Sequence, residues 1–293
     1  MRMKRLIVIT GATGSGKTDA SIQLASRLKT HIISTDSRQI YRGIPIGTAQ
    51  PSAEQLATVE HHFIATHDLT ENFSCGQFEV QALALLERLF ESHDTVVAAG
   101  GSGLYIKALC DGMDDLPEVD EQLRRNLNER LRGEGLESLL DDLQRLDPEY
   151  YQQVDKENPS RVLRAVEVCL QTGRPYSSMR TGRKRQRDFE IVKIGIEMER
   201  EELYDRINRR VDMMISQGLE DEARAVYGLR HCNSLQTVGY RELFDCFDGL
   251  TDRDTAIELI KRNSRRYAKR QMTWFRRDEQ IRWLKPEEIA EIQ

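Results

Sequence analysis

Residues 11–18 read Gly11-Ala12-Thr13-Gly14-Ser15-Gly16-Lys17-Thr18, directly behind the apolar run Leu6-Ile7-Val8-Ile9. This is the G-x-x-x-x-G-K-[ST] spacing of a phosphate loop, and it constrains the fold on both sides. A buried strand must end at the first glycine and a helix must begin at the lysine. Only then do backbone N–H groups and the positive end of a helix converge on one anion. Both neighbours are legible. The apolar run predicts a strand over 6–10, and Ala20, Ile22, Leu24, Ala25 and Leu28 predict an amphipathic helix over 18–28. Lys17 supplies a point charge, and Thr18 offers its hydroxyl to a phosphate-bound Mg2+. A di- or triphosphate is expected here; the motif leaves open what happens to it.

The alternation continues along the chain. A strand is expected over 31–35, ending at Asp36, then a helix over 78–90 and a strand over 95–99 that runs into Gly100-Gly101-Ser102-Gly103. Strand–helix alternation around a phosphate loop implies an α/β core of the P-loop NTPase type, a parallel sheet with helices on both faces. Ligands of such sheets lie beyond the carboxyl ends of the strands, which brings 11–18, Asp36 and 100–103 to one rim. From about Asp114 only helical spacing is seen, over 121–132, 136–146 and 159–171. Asn158, Pro159, Gly173 and Pro175 mark the ends of the last of these. Residues 189–196 alternate as a strand that rejoins the sheet, and helices follow over 201–217, 219–229 and 254–277. The expected organisation is a core over 1–113, a helical insertion over 114–188, and a mostly helical second part of the core over 189–293.

Composition narrows the class. With 39% hydrophobic and 31% charged residues, the 293-residue chain has the make-up of a globular protein of about two domains. No apolar run approaches the ~20 residues of a membrane span. The basic start, Met1-Arg2-Met3-Lys4-Arg5, runs into the phosphate loop instead of a signal-peptide core. A cytoplasmic protein, monomeric by default, is expected. Five scattered cysteines form no C-x-x-C pair, so reduced thiols are expected. His61-His62 and His67 have no cysteine or acid at matching spacing, and no metal site is read there. The net charge is −5, but nine basic residues face two acids between 261 and 283. A second island holds Arg174, Arg180, Arg183, Lys184, Arg185 and Arg187, while acids gather at Asp111, Asp114, Asp115, Glu118, Asp120 and Glu121. Such separation predicts basic faces for an extended anion. Of the aromatics in the 254–277 helix, Tyr267, Trp274 and Phe275 are expected to face the core.

Together these blocks resemble the tRNA dimethylallyltransferases of bacterial type. The likeness rests on the phosphate loop, Asp36-Ser37-x-Gln39-x-Tyr41, Ile46-Gly47-Thr48-Ala49 and Gly100-Gly101-Ser102-Gly103-Leu104-Tyr105. It continues with Arg161-x-x-Arg164-Ala165-x-Glu167, Arg206-Ile207-x-x-Arg210, Val238-Gly239-Tyr240-Arg241 and Ala268-Lys269-Arg270-Gln271-x-Thr273-Trp274. The blocks stand in family order over nearly the whole chain. The resemblance implies transfer of a dimethylallyl group from dimethylallyl diphosphate to the N6 amine of the adenosine just 3′ of the anticodon. The loop over Gly11, Ala12, Thr13, Gly14, Ser15, Gly16, Lys17 and Thr18 would then hold a leaving diphosphate with Mg2+, where relatives of the fold bind ATP. It further implies Asp36 as general base, Arg210 as a clamp on the diphosphate and Ser102 as an orienting hydroxyl. For tRNA it implies Asp36, Ser37, Arg38, Gln39, Ser102, Arg124, Ser160, Arg161, Val162, Leu163, Arg164, Gln236, Gly239, Tyr240 and Arg241, with the anticodon stem-loop as partner.

Two positions depart from the family pattern. Ala12 stands where relatives often have Pro, and Gln50 where many have Lys, which removes a charge near the cleft. The chain ends soon after Trp283, so the zinc-finger tail of eukaryotic relatives is not expected. The alternative reading is a nucleotide or metabolite kinase, using the same loop for phosphoryl transfer. It accounts for the α/β half but not for the arginine-bearing insertion.

Overall fold

The computed structural model describes residues 3–289 and 292; Met1 and Arg2 of the basic start, with Ala290, Glu291 and Gln293, lie outside the described residues. The chain divides into two compact units, Met1–Cys110 with Gln186–Gln293, and Asp111–Arg185.

The first unit opens with strand β1 (Arg5–Thr10), helix α1 (Lys17–Leu28), β2 (Ile32–Ser34), α2 (Ala53–Thr58), β3 (His61–His62), α3 (Cys75–Ser92), β4 (Thr95–Gly100) and α4 (Gly103–Asp111). The second unit holds α5 (Glu121–Gly133), α6 (Leu136–Leu146), α7 (Pro148–Gln153), α8 (Pro159–Thr172) and α9 (Tyr176–Met179). The chain then returns through β5 (Glu190–Ile196), α10 (Arg200–Ser216), α11 (Leu219–Val226), α12 (Tyr240–Phe247), α13 (Arg253–Phe275), β6 (Arg282–Leu284) and α14 (Pro286–Ile289).

The strands form one sheet in the order β3-β2-β4-β1-β5-β6, every pair parallel. β1 lies at its centre, with Ile9 beside Ala99 of β4 and Ile194 of β5. Leu6, Ile7, Val8 and Ile9 are wholly buried, as a strand covered on both faces requires. The short elements β3, α4, α12 and β6 are additions to the expected ones, although α12 buries Tyr240, Leu243 and Phe244 at helical spacing. β6 belongs to the sheet because Trp283 lies flat on Gly195, where a Cβ would sit 2.5 Å from its ring.

One expectation is corrected. Phe275 is buried, but Trp274 is 41% exposed, and Tyr267 is only half-buried. The Trp274 indole lies along Gly103, where a Cβ would meet it at 2.3 Å. Within the basic islands some charges are paired. Arg185 is paired with Asp115, Lys184 lies 3.8 Å from Asp111, and Thr181 donates to Asp114 at 2.9 Å. Lys261 meets Asp212 at 2.8 Å, and Arg187 reaches the buried Glu79 at 2.9 Å.

The second unit packs Leu127, Leu139, Leu143, Val162, Leu163 and Val166 into its own core. Glu167 lies fully buried on α8. Its carboxylate accepts from Nε and Nη2 of Arg124, both at 2.6 Å, and is paired with Arg164 as well. A buried carboxylate needs such donors, since desolvation would otherwise outweigh its contribution. No described helix is long and apolar enough to cross a membrane.

Candidate active site

The rim forms because β1, β2 and β4 all end on the same side of a parallel sheet. After β1 the chain turns through Gly11, Gly14 and Gly16, the last two with φ of +83° and +90°, values that suit glycine. α10 lies on this loop. Ile207 packs where a Gly14 Cβ would sit at 3.0 Å, and Ala12, Leu203, Ile207 and Ala268 form a small shared core. One turn beyond Arg206, Arg210 leaves that packed stripe and brings its Nη1 to 3.5 Å from the Thr13 hydroxyl. Lys17 donates to the Ala12 carbonyl at 2.6 Å.

α13 ties the loop to the opposite strand end. Gln271, nearly buried, accepts from the Thr13 N–H at 2.8 Å and donates to the Gly101 carbonyl at 2.9 Å. Gly100 presses on Thr35, where a Cβ would meet the backbone carbonyl at 2.5 Å. The Ser102 hydroxyl accepts from the Ser37 N–H at 2.9 Å and donates to Ser37 Oγ at 3.1 Å. Asp36 is held in a turn: its Oδ1 accepts from the N–H groups of Arg38 and Gln39, at 2.9 and 3.3 Å.

A cavity of about 420 Å3 opens at this rim, lined by Thr13, Lys17, Thr18, Asp36, Ser37, Arg38, Gln39, Arg210, Gln236, Gly239, Arg241 and Tyr267. Ile207, Val211, Met214, Val238 and Ile260 supply an apolar wall. A second cavity of about 450 Å3 shares Ser37, Arg38, Tyr267 and Gln271 with the first, and adds Ser102, Leu104 and Trp274. Burial lowers Lys17 to about 8; the Asp36 charge opposes that fall and Arg210 assists it. Arg210 is lowered by burial as well, against Asp36 and with Arg206. Burial and then the Asp36 charge raise Tyr267 to about 12, so its phenol stays protonated beside that carboxylate. Two cations and one carboxylate thus face a common, poorly solvated space.

Several expected site residues have other neighbours. Gln39 donates to the carbonyls of Ala49 at 2.7 Å and Thr48 at 3.3 Å, and Gln50 donates to the carbonyls of Gln39 and Tyr41 at 2.8 and 2.7 Å. The neutral amide that replaces the usual lysine is therefore spent on the fold of this loop. Tyr240 is fully buried, its hydroxyl donating to Glu222 at 2.5 Å and its ring filling the space beside Gly47. Gln236 and Arg241 are exposed at the cavity. In the second unit, Ser160 and Arg161 are exposed, whereas Val162 and Leu163 are buried. Tyr267, Gln271 and Trp274 were missed as site residues, although their block in the sequence signalled them.

The family model described as IPP transferase matches residues 39–278. The chain belongs to that family. It is 52% identical over 292 residues to tRNA dimethylallyltransferase 1 of Bacteroides fragilis, covering 100% of this chain and 97% of the relative. It is 49% identical over 289 residues to the tRNA dimethylallyltransferase of Cytophaga hutchinsonii, covering 99% and 95%. Among solved structures, the full-length tRNA isopentenylpyrophosphate transferase of Bacillus halodurans is 40% identical with a TM-score of 0.72, covering 98% of this chain and 94% of that one. A eukaryotic dimethylallyltransferase acting on tRNA is 25% identical with a TM-score of 0.81, covering 97% and 74%. The family's members share the P-loop NTPase-like sheet seen here.

Proposed function

We propose that this chain is a tRNA dimethylallyltransferase. It transfers the dimethylallyl group of dimethylallyl diphosphate to the N6 amine of the adenosine 3′-adjacent to the anticodon, releasing diphosphate. The observation that carries this reading is one cavity holding the phosphate loop, Arg210, Asp36 and an apolar wall of Ile207, Val211, Met214, Val238 and Ile260. A phosphoryl-transfer site needs no such wall; a prenyl chain does.

The chemistry follows from charge. The allylic C–O bond breaks, and its electron pair leaves with the diphosphate while positive charge grows on the prenyl carbons. Loop N–H groups, Lys17 and Arg210 stabilise the oxygens where charge develops. The N6–C bond forms, and the proton of N6 passes to the Asp36 carboxylate, whose Oδ2 takes part in neither of the turn's two backbone bonds. The oxygen donors Thr18 and Asp36 line the same cavity, a set that suits Mg2+. Thr18 would hold it against the diphosphate, where it would neutralise charge on the leaving oxygens.

The target adenosine must leave its stack to reach this rim. Ser37, Arg38, Gln236 and Arg241, around the cavity mouth, are suited to the neighbouring nucleotides, and Ser160 and Arg161 of the insertion to backbone phosphates. Cytoplasmic tRNA is the expected partner.

Purified protein with Mg2+ and dimethylallyl diphosphate should add one prenyl group per molecule of unmodified tRNA, read by mass spectrometry of the digested nucleosides. Phosphoryl transfer from ATP without prenylation would give the case to the kinase reading.

A further inference from the structure

We propose that His31, Glu60 and His62 form a site for one divalent transition-metal ion of the zinc class, at the β3 edge of the sheet. His31 immediately precedes β2, and Glu60 and His62 lie at either side of His61 on β3. Parallel pairing of Ile32 with His61 and Ile33 with His62 brings the three side chains together across 30 residues of chain. The Ile32 N–H donates to the Glu60 carbonyl at 2.9 Å, which fixes the register.

The potential ligand atoms lie close together. His31 Nδ1 lies 3.0 Å from His62 Nε2 and 3.6 Å from Glu60 Oε2, His62 Nε2 lies 3.8 Å from the other carboxylate oxygen, Oε1, and one atom from each residue lies within 4.8 Å of the others. A tetrahedral ion with bonds of about 2.0–2.1 Å sets its ligand atoms roughly 3.3–3.4 Å apart. Binding requires the two hydrogen-bonded imidazoles to turn so that both nitrogens face the ion, and the exposed Glu60 carboxylate to close on it. The His31 ring lies nearly parallel to His62 at 5.2 Å and edge-on to His93 at 4.9 Å.

A neutral imidazole is the form that ligates. Both imidazoles are partly shielded while Glu60 is 66% exposed, so a water can complete the fourth position. Nitrogen donors favour zinc-class ions over Mg2+. This site is separate from the phosphate-loop cavity, which none of the three residues lines. Its effect would be to clamp a two-residue edge strand to β2.

The full-length protein, stripped with chelator, is titrated with Zn2+ by calorimetry and with Co2+ by visible absorption. One equivalent should bind with micromolar or tighter affinity, Co2+ should show the intense bands of four-coordination, and the melting temperature should rise by several degrees. Glu60→Gln, at an exposed position, and His62→Asn should each weaken binding at least ~10-fold, while Glu60→Gln leaves prenyl transfer unchanged. Failure to bind one equivalent, or an affinity in both variants unchanged from the parent protein, would overturn the proposal and leave the two rings sharing a proton.

Discussion

Asp36 sits at the end of a strand, where the turn that follows clamps one of its oxygens and leaves the other facing two cations. Its position at a rim with the phosphate loop was expected from the strand that precedes it, and the family resemblance implied Arg210 beside the same diphosphate. Asp36→Asn keeps the size and the turn-forming oxygen but cannot take a proton. Turnover should fall by about 10²–10⁴-fold in single-turnover prenylation, with tRNA affinity little changed. Unchanged turnover would remove Asp36 from the chemistry. Lys17 offers a pH test with a definite sign. Burial has brought it from its ordinary 10.5 to about 8, so its protonated fraction in the empty site falls as pH rises through that value. The KM for dimethylallyl diphosphate should therefore increase above pH ~8, approaching tenfold per unit, and anion binding there should take up a proton. A KM flat across that range would show that Lys17 keeps its charge unaided. Arg210 teaches a related lesson. By spacing it is a flank residue of α10, and only its approach to Thr13 at 3.5 Å makes it part of the site.

The helices α10 and α13 explain why so many glycines crowd the rim. Gly14 is backed by Ile207, Gly101 by Gln271, Gly103 by Trp274 and Gly100 by the Thr35 carbonyl. These positions are small because another element needs the space, a reason invisible in the octet or in 100–103 read alone. Gly100→Ala would put a Cβ 2.5 Å from backbone atoms that have nowhere to go. A loss of about 1–3 kcal/mol or more is expected, read as a fall in melting temperature together with loss of turnover. Gly133→Ala, at the end of α5 with nothing within 4 Å, should stay within about 0.5 kcal/mol of the parent or gain slightly. Equal costs at the two sites would mean that the rim yields more readily than its packing implies.

Charge provides the widest contrast between chain and molecule. Within the basic islands Arg185, Lys184, Arg187 and Lys261 each meet an acid, which a run of like charges in the sequence does not reveal. Arg124 and Arg164 meet the buried Glu167, whereas Arg161 has, among the described residues, only Asp155, at 3.9 Å. Arg161→Ala should therefore weaken tRNA binding and lower its salt slope by about 1, with KM for the prenyl donor unchanged. Glu167→Ala strands two arginines and should cost the insertion about 3–5 kcal/mol, measured by denaturant unfolding. If Arg161→Ala left both affinity and salt slope untouched, the insertion would not grip the RNA backbone through this side chain. Local patterns were enough to reveal the strand before the glycine-rich loop, the helix after it and the parallel α/β class, because these elements bury their own apolar periods. They could not reveal that Gln271 bridges Thr13 to Gly101, that Tyr267 lies beside Asp36, or that His31 meets His62. Those meetings join residues 31 to 258 positions apart, and nothing in a side chain's immediate neighbours encodes which distant one will share its space once the layers pack.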